Sequence, residues 1–285
     1  MRDTSRHFLM CSPDFFIYPK EYSQINPHMK KMRNVDKKRA ILEWEQLKNT
    51  LEGCGAHITL MPPVQGFPDM VFTRNGFLTL PKKTAILSSF AHLERQKERV
   101  YFFTWLNAQK YYILHFPDTA VFEGNGEAIF CKDKLFVGYG STRAQFSSVK
   151  HLAMILYAEK LGNIDVIPLK LATKDFYHLD TCFMIIERPL GYSDILVYYP
   201  PAFDYDSQEK IKRMRHIIHI PVSEYDAYLF GCNLIAFDRH IIMPSGTKDL
   251  ANTLRSYKLD VHEVCVNEFI KCGGGGPFCL TLEIG

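Results

Sequence analysis

With 285 residues, 47% of them hydrophobic and 23% charged, the chain has the make-up of a folded globular protein and not of a disordered or fibrous one. A net charge of +3 with histidine neutral gives no basic surface for nucleic acid, and no apolar run approaches the roughly 20 residues of a membrane span. The eight cysteines stand singly, with no CxxC pair, so neither a zinc site nor a disulfide framework is expected, and a reducing cytoplasm is the expected compartment.

In chain order, the N-terminal stretch to Cys11 carries Arg2, Asp3, Arg6 and His7 and has no apolar segment to serve as a signal. A helix is predicted over 37–51. Its lysines, together with Lys30 and Lys31, read as the wet face of an amphipathic helix, because Ile41, Leu42, Trp44 and Leu47 are interleaved with them. A strand over 57–61 then leads into an apolar burst over 72–80, followed by a strand over 84–88 and a helix over 93–109. The plan recurs: strand 112–116, burst 122–130, strand 134–139, helix 147–161. It recurs again with strand 164–169, burst 178–186, strand 195–199 and helix 207–216. Strand 217–221, burst 230–237 and strand 240–243 make the fourth round. Strand 261–266 and burst 277–282 make the fifth.

The bursts are roughly 50 residues apart, and each unit holds both strands and a helix, read here as strand–strand–strand–helix. Such a period argues for units set around a central axis, a five-bladed α+β propeller with its helices outside. An open doubly wound sheet would have a glycine-rich phosphate turn after its first strand, and none is present. The mouths of the bursts would then converge, bringing together Asn75, Glu123, His178, Asp180, Asn233 and Cys279.

Each of these has an ordinary structural role open to it. Cys279 could be a small core residue, His178 a strand cap, and Glu123 part of a surface turn. Yet Cys279 follows four consecutive glycines, Gly273 to Gly276, and then Pro277-Phe278, a loop able to turn sharply beside another molecule. His178 and Asp180 lie two apart in an extended segment and so point to the same side. A cysteine, a histidine and two carboxylates on one axis suit a planar cation, whose N–H donors a pair of carboxylates can hold.

The bursts resemble the guanidino-group-modifying superfamily of arginine deiminases, arginine dihydrolases, dimethylarginine dimethylaminohydrolases and amidinotransferases. Four segments carry the likeness, in the family's order: Pro68-Asp69-Met70-Val71-Phe72-Thr73, Phe122-Glu123-Gly124, His178-Leu179-Asp180 and Gly274-Gly275-Gly276-Pro277-Phe278-Cys279-Leu280-Thr281. The resemblance implies the pentein fold, ββαβ-type repeats about a pseudo-fivefold axis, here as one catalytic domain over 1–285. It implies that Cys279 attacks the guanidinium carbon to give a thiouronium adduct. His178 would protonate the leaving amine and then activate water, while Glu123 and Asp180 hold the guanidinium. Asp69 belongs to the first loop, and Ile25-Asn26-Pro27 and Glu94-Arg95-Gln96 resemble segments of the dihydrolase branch. Arg95 and Arg143, both just after active-site strands, are expected to bind the substrate carboxylate.

The resemblance implies a small guanidino molecule as partner, with neither metal nor organic cofactor, and leaves room for a homo-oligomer. Asn75 stands where deiminases have Asp and matches the dihydrolases, whereas Arg74 is closer to the deiminases and Glu127 stands where Asp is expected. Arginine is therefore the expected substrate, with ornithine or citrulline as product. The alternatives are hydrolysis of dimethylarginine, amidino transfer, or a pentein without catalysis that binds a partner, as the ribosome anti-association factor does.

Overall fold

The computed structural model describes residues 6–29, 34–117, 119–161 and 164–284, so Arg2, Asp3, Lys30 and Lys31 lie outside the described residues. The described residues make five sheets of three strands each. The first sheet joins β1 (His7–Cys11) to β2 (His57–Met61) across helix α1 (Lys37–Gly53). The second runs β3 (Phe77–Leu80), β4 (Thr84–Leu87), the short helices α2 (Leu93–Gln96) and α3 (Glu98–Ala108), then β5 (Tyr112–His115). The third is β6 (Ala128–Cys131), β7 (Lys134–Tyr139), α4 (Phe146–Ala158) and β8 (Asp165–Lys170). The fourth is β9 (Phe183–Ile186), β10 (Asp194–Tyr198), α5 (Tyr205–Lys212) and β11 (Ile217–Pro221). A one-turn helix α6 (Glu224–Tyr228) leads to the fifth, β12 (Ile235–Phe237), β13 (His240–Pro244), α7 (Lys248–Ser256) and β14 (Asp260–Val264). Helix α8 (Asn267–Gly273) and strand β15 (Leu282–Glu283) end the described chain.

In four of these blades the strand from the burst pairs antiparallel with the next strand, and the strand after the helix pairs parallel with that middle one. The blade is therefore ββαβ. The shorter strand read as the leader of each burst instead completes the blade before it, because a parallel pair needs a helix-sized crossover between its strands. The first blade is assembled from both ends of the described chain. β15 pairs antiparallel with β1 and β1 pairs parallel with β2, which closes the ring.

The four predicted helices form where they were expected, with local departures that have physical causes, and α6, α7 and α8 come in addition. Helix α1 starts at Asp36, whose carboxylate accepts the Arg39 amide at 3.1 Å, and buries Ala40, Trp44, Leu47 and Leu51 against the sheets. Helix α5 starts two residues early because Asp204 caps it through the Ser207 amide at 2.9 Å. The predicted helix 93–109 breaks at Lys97, so that Arg95 on α2 and Glu98 on α3 turn inward as a buried pair. Among the bursts, three open on one turn of 3-10 helix directly before the innermost strand: Thr73–Asn75, Gly124–Gly126 and Leu179–Thr181. Neighbouring turns pack against one another around the axis. This places the polar side chains of the bursts at the centre of the ring while the apolar residues that follow fill the blades.

Candidate active site

The residues expected to converge do so at the centre of the ring. Cys279, His178, Asp69, Asn75, Asn26, Arg95 and Arg143 all line a single narrow cavity, with room for about 10 Å³, near the volume of one water. Glu123 and Asp180 stand directly behind it, both fully buried.

Cys279 is delivered by the glycine loop that follows α8. Gly274 ends α8 in the left-handed conformation with φ of 76°, and a Cβ there would lie 2.3 Å from the Asn26 Oδ1. The loop is braced on two sides. Asn26 donates to the Gly273 carbonyl at 3.0 Å, and the Tyr177 hydroxyl donates to the Gly274 carbonyl at 2.5 Å. Asn233, from the fourth burst, holds the nucleophile candidate itself. Its Oδ1 accepts the Cys279 amide at 3.1 Å, and its Nδ2 lies 3.1 Å from Cys279 Sγ and also donates to the Asp180 carbonyl. The thiol in turn faces Asp180 Oδ2 at 3.4 Å.

His178 is set by carboxylates. Its Nε2 lies 2.9 Å from Glu123 Oε2, and the same oxygen accepts Arg143 Nη1 at 2.5 Å. Glu123 also accepts the Ala91 amide through Oε1. Burial would raise the Glu123 carboxyl, but the Arg143 guanidinium and the His178 hydrogen bond outweigh it and hold the group well below the usual carboxylate range. An ionised Glu123 accepts a hydrogen bond from Nε2–H of a neutral His178, which leaves Nδ1 as the base. Burial pushes the imidazole down to about 4 despite its carboxylate partner, so the ring rests neutral. Burial, and then the nearby Asp180 carboxylate, push the Cys279 thiol well above the ordinary range. Burial also lifts Asp180 itself to about 7, against the pull of the Arg74 guanidinium. The resting site thus holds a neutral thiol beside Asp180 and a neutral imidazole beside Glu123.

The two arginines read as carboxylate binders have partners inside the protein. Arg95 is 2% exposed and not a surface helix residue; it forks onto Glu98 at 2.8 to 3.2 Å and donates to the Asn75 Oδ1 at 3.0 Å and the Asp69 carbonyl at 3.1 Å. Arg143 divides itself between Glu123 and the Ile25 carbonyl at 2.9 Å. Asn75, oriented by Arg95, has no hydrogen-bond partner for its Nδ2 among the described residues, at the cavity wall. Asp69 accepts hydrogen bonds from the hydroxyls of Tyr18 and Tyr22, at 2.5 and 2.7 Å. Its carboxylate therefore anchors the N-terminal segment that carries Ile25 and Asn26 over the cavity.

Residues 12–285 match the model of the family described as N,N dimethylarginine dimethylhydrolase, eukaryotic. The chain belongs to this family. A family protein of Mycobacterium tuberculosis, N(G),N(G)-dimethylarginine dimethylaminohydrolase, is 30% identical over 98% of this chain and 86% of its own length. The bifunctional arginine dihydrolase/ornithine cyclodeaminase ArgZ of Synechocystis sp. is 38% identical over 97% of this chain but only 37% of its own length. The chain thus spans less than two fifths of the cyanobacterial relatives it matches. The solved N-terminal domain of ArgZ, an arginine dihydrolase bound to product, superposes with a TM-score of 0.86 and 36% identity, covering 99% of this chain and 98% of that one.

Membership in the dimethylarginine dimethylhydrolase family accounts for the five-bladed α+β ring. Several residues of the site carried no functional signal in the sequence. Tyr18, Tyr22 and Tyr177 act through hydrogen bonds to segments far away in the sequence, and Glu98 acts through the helix break that turns Arg95 onto it. Asn233 was placed at the axis by its position in the fourth burst, but its hold on Cys279 depends on a side-chain direction that spacing does not reveal. Glu127 sits 3.7 Å from His178 Nε2, and burial, with Glu123 and Asp180 nearby, pushes it well above the carboxylate range into its neutral form.

Proposed function

We propose that this chain is a cysteine-dependent hydrolase of guanidino carbon–nitrogen bonds, with arginine as its substrate. The observation that carries this is the convergence of Cys279, His178, Glu123 and Asp180 at one buried centre. The positive charge of a guanidinium bound there draws the Cys279 thiol toward thiolate. Sulfur then attacks the guanidinium carbon. His178, held through Nε2 by Glu123, takes at Nδ1 the proton that the thiol gives up, passes it to the leaving ammonia, and next takes one from the water that cleaves the thiouronium. Asp180 and Asp69 supply acceptors for the substrate N–H groups. Arg95 and Arg143 serve as positioning residues for Asn75 and Glu123.

How far the reaction runs rests on Asn75. Its Nδ2 is a neutral donor at the cavity wall, and a neutral amide can hold a ureido group as well as a guanidinium. A second attack on bound citrulline would release ornithine, so that arginine and two waters give ornithine, carbon dioxide and two ammonia molecules. Likeness to the ArgZ N-terminal domain, solved with its product as an arginine dihydrolase, supports this reading. Hydrolysis of methylated arginine is the second reading, and the family model favours it. Eight free cysteines fit a reducing compartment, and we place the protein in the cytoplasm.

Incubation with arginine, agmatine and methylated arginines, with products identified by mass, tests both readings. Ornithine and two ammonia per arginine are expected from the native chain, and citrulline from Asn75→Asp. Citrulline from both would leave a deiminase, and dimethylamine as the only amine released would favour the second reading.

A further inference from the structure

Away from the central cavity, three side chains of metal-ligating type from distant parts of the chain meet on the fifth blade. Cys54 is the residue on which α1 ends, His240 opens β13, and His262 lies in the middle of β14. In the parallel ladder His240 pairs with Asp260 and Ile242 with His262, so the two histidines are two rungs apart and share one face. Helix α1 packs on β14 and carries Cys54 to that face. The result is a tight cluster. His262 Nε2 lies 3.5 Å from Cys54 Sγ and 3.2 Å from His240 Nδ1, and the three donor atoms are all within 4.8 Å of one another.

These separations are those of ligands around one ion. A tetrahedral zinc with bonds of about 2.3 Å to sulfur and about 2.05 Å to nitrogen places a sulfur and a nitrogen ligand about 3.5 Å apart and two nitrogens about 3.3 Å apart. In the absence of an ion the same contacts are hydrogen-bond distances that protons on these groups share around His262 Nε2. Metal binding replaces those protons. One thiolate and two imidazoles are too soft a set for magnesium or calcium and suit a borderline divalent cation of the zinc type. All three residues are half-buried, so an ion has access from solvent and the ligands have enough packing to hold their positions.

We propose that Cys54, His240 and His262 form a binding site for a zinc-type divalent cation, separate from the guanidino cavity, with solvent as the fourth ligand. The ion staples the end of α1 to the fifth blade, joining a helix from early in the chain to strands from near its end. Sequence spacing conceals such a site, since 186 and 22 residues separate the successive ligands, 240 − 54 and 262 − 240. The proposal does not depend on the catalytic reading.

Cobalt(II) titration tests it. Because Cys279 and His178 line one cavity as a second thiol and imidazole, the titration is made on reduced, chelator-treated Cys279→Ser. We expect one equivalent bound, with visible bands of tetrahedral cobalt and a thiolate-to-cobalt charge-transfer band in the near ultraviolet. Zinc should raise Tm by on the order of 5 °C at concentrations well above Kd. Adding Cys54→Ser should abolish the charge-transfer band. Adding His240→Ala or His262→Ala, each made separately so that one misfolded variant does not decide the matter, should weaken binding at least tenfold. A Cys279→Ser protein without the charge-transfer band, or a band that survives Cys54→Ser, would overturn the assignment.

Discussion

Arg143 tests whether the arginines of the site organise it or grip substrate. It is 1% exposed, and its guanidinium is shared between Glu123 Oε2 at 2.5 Å and the Ile25 carbonyl at 2.9 Å. Arg143→Ala leaves the Glu123 carboxylate in the core with His178 and the Ala91 amide as its remaining partners. Removing one member of a buried ion pair costs about 3–5 kcal/mol. Two hydrogen bonds to a charged group, at about 1.5–3 kcal/mol each, lead to the same range. The protonation of Glu123 changes as well. Burial raises this carboxyl, and Arg143 is the strongest of the influences holding it down, so without the guanidinium the group shifts toward its neutral form. His178 then loses the carboxylate that fixes its tautomer, and the acid limb of the kcat profile moves to higher pH. If half of the loss is felt in the transition state, kcat falls about 10–100-fold, at 1.4 kcal/mol per factor of ten, while KM changes little. Ammonia release measured from pH 5 to 9, together with thermal denaturation, reads both effects. Arg143→Lys should lie between, since an ammonium can meet Glu123 but lacks the fork that also reaches Ile25. A rise in KM of tenfold or more with kcat and its pH profile unchanged would refute this reasoning and return Arg143 to the substrate carboxylate.

Cys279→Ser should reduce turnover to background with the thermal transition nearly unchanged, because the hydroxyl keeps the small volume and the Asn233 contacts but not thiolate nucleophilicity; activity above a few per cent of native would remove Cys279 from the mechanism. Gly126→Ala places a Cβ 2.4 Å from Asn75 Nδ2 and 3.4 Å from His178 Nδ1, so about 1–3 kcal/mol of stability and much of kcat should be lost, and an unaltered kcat in a folded variant would contradict the placement of these two side chains. His178 titrates near 4 in the native chain against 6.5 in the unfolded one, so between these values the unfolded chain holds a proton that the native chain refuses. Its contribution to stability is therefore complete above about pH 6.5 and is lost as pH falls toward 4. Urea unfolding at pH 7 and pH 4.5 should show a smaller loss for His178→Gln than for the native chain, and equal losses would exclude this origin.

The apolar bursts, their spacing and the helices between them were legible because each is a local property. A run such as Ala128–Cys131 reads as strand from its own residues, and α1 from its own cap and apolar stripe. The polar residues at the head of each burst were legible for the same reason: a ring of repeats sends equivalent positions to one axis, so Asn75, Glu123, His178, Asn233 and Cys279 needed only a common register to meet. Pairing across the ring was not legible. Strand β1 went unread because five residues without alternation gain their meaning only from β15 and β2, contributed by distant segments. Helix α7 was passed over although Leu250, Ala251 and Leu254 make its buried stripe, since nine residues hold little more than two turns of pattern. The chemistry of individual groups belonged to tertiary structure alone. Whether Arg95 faces solvent, substrate or Glu98 depends on a break at Lys97 that lets one short helix dip inward. Whether Glu123 is ionised while Glu127, four residues on, is neutral depends on which of them Arg143 reaches. Desolvation raises both carboxyls, but the Arg143 guanidinium from the loop after β7 and the His178 hydrogen bond hold Glu123 down, while Glu123 and Asp180 push Glu127 further up.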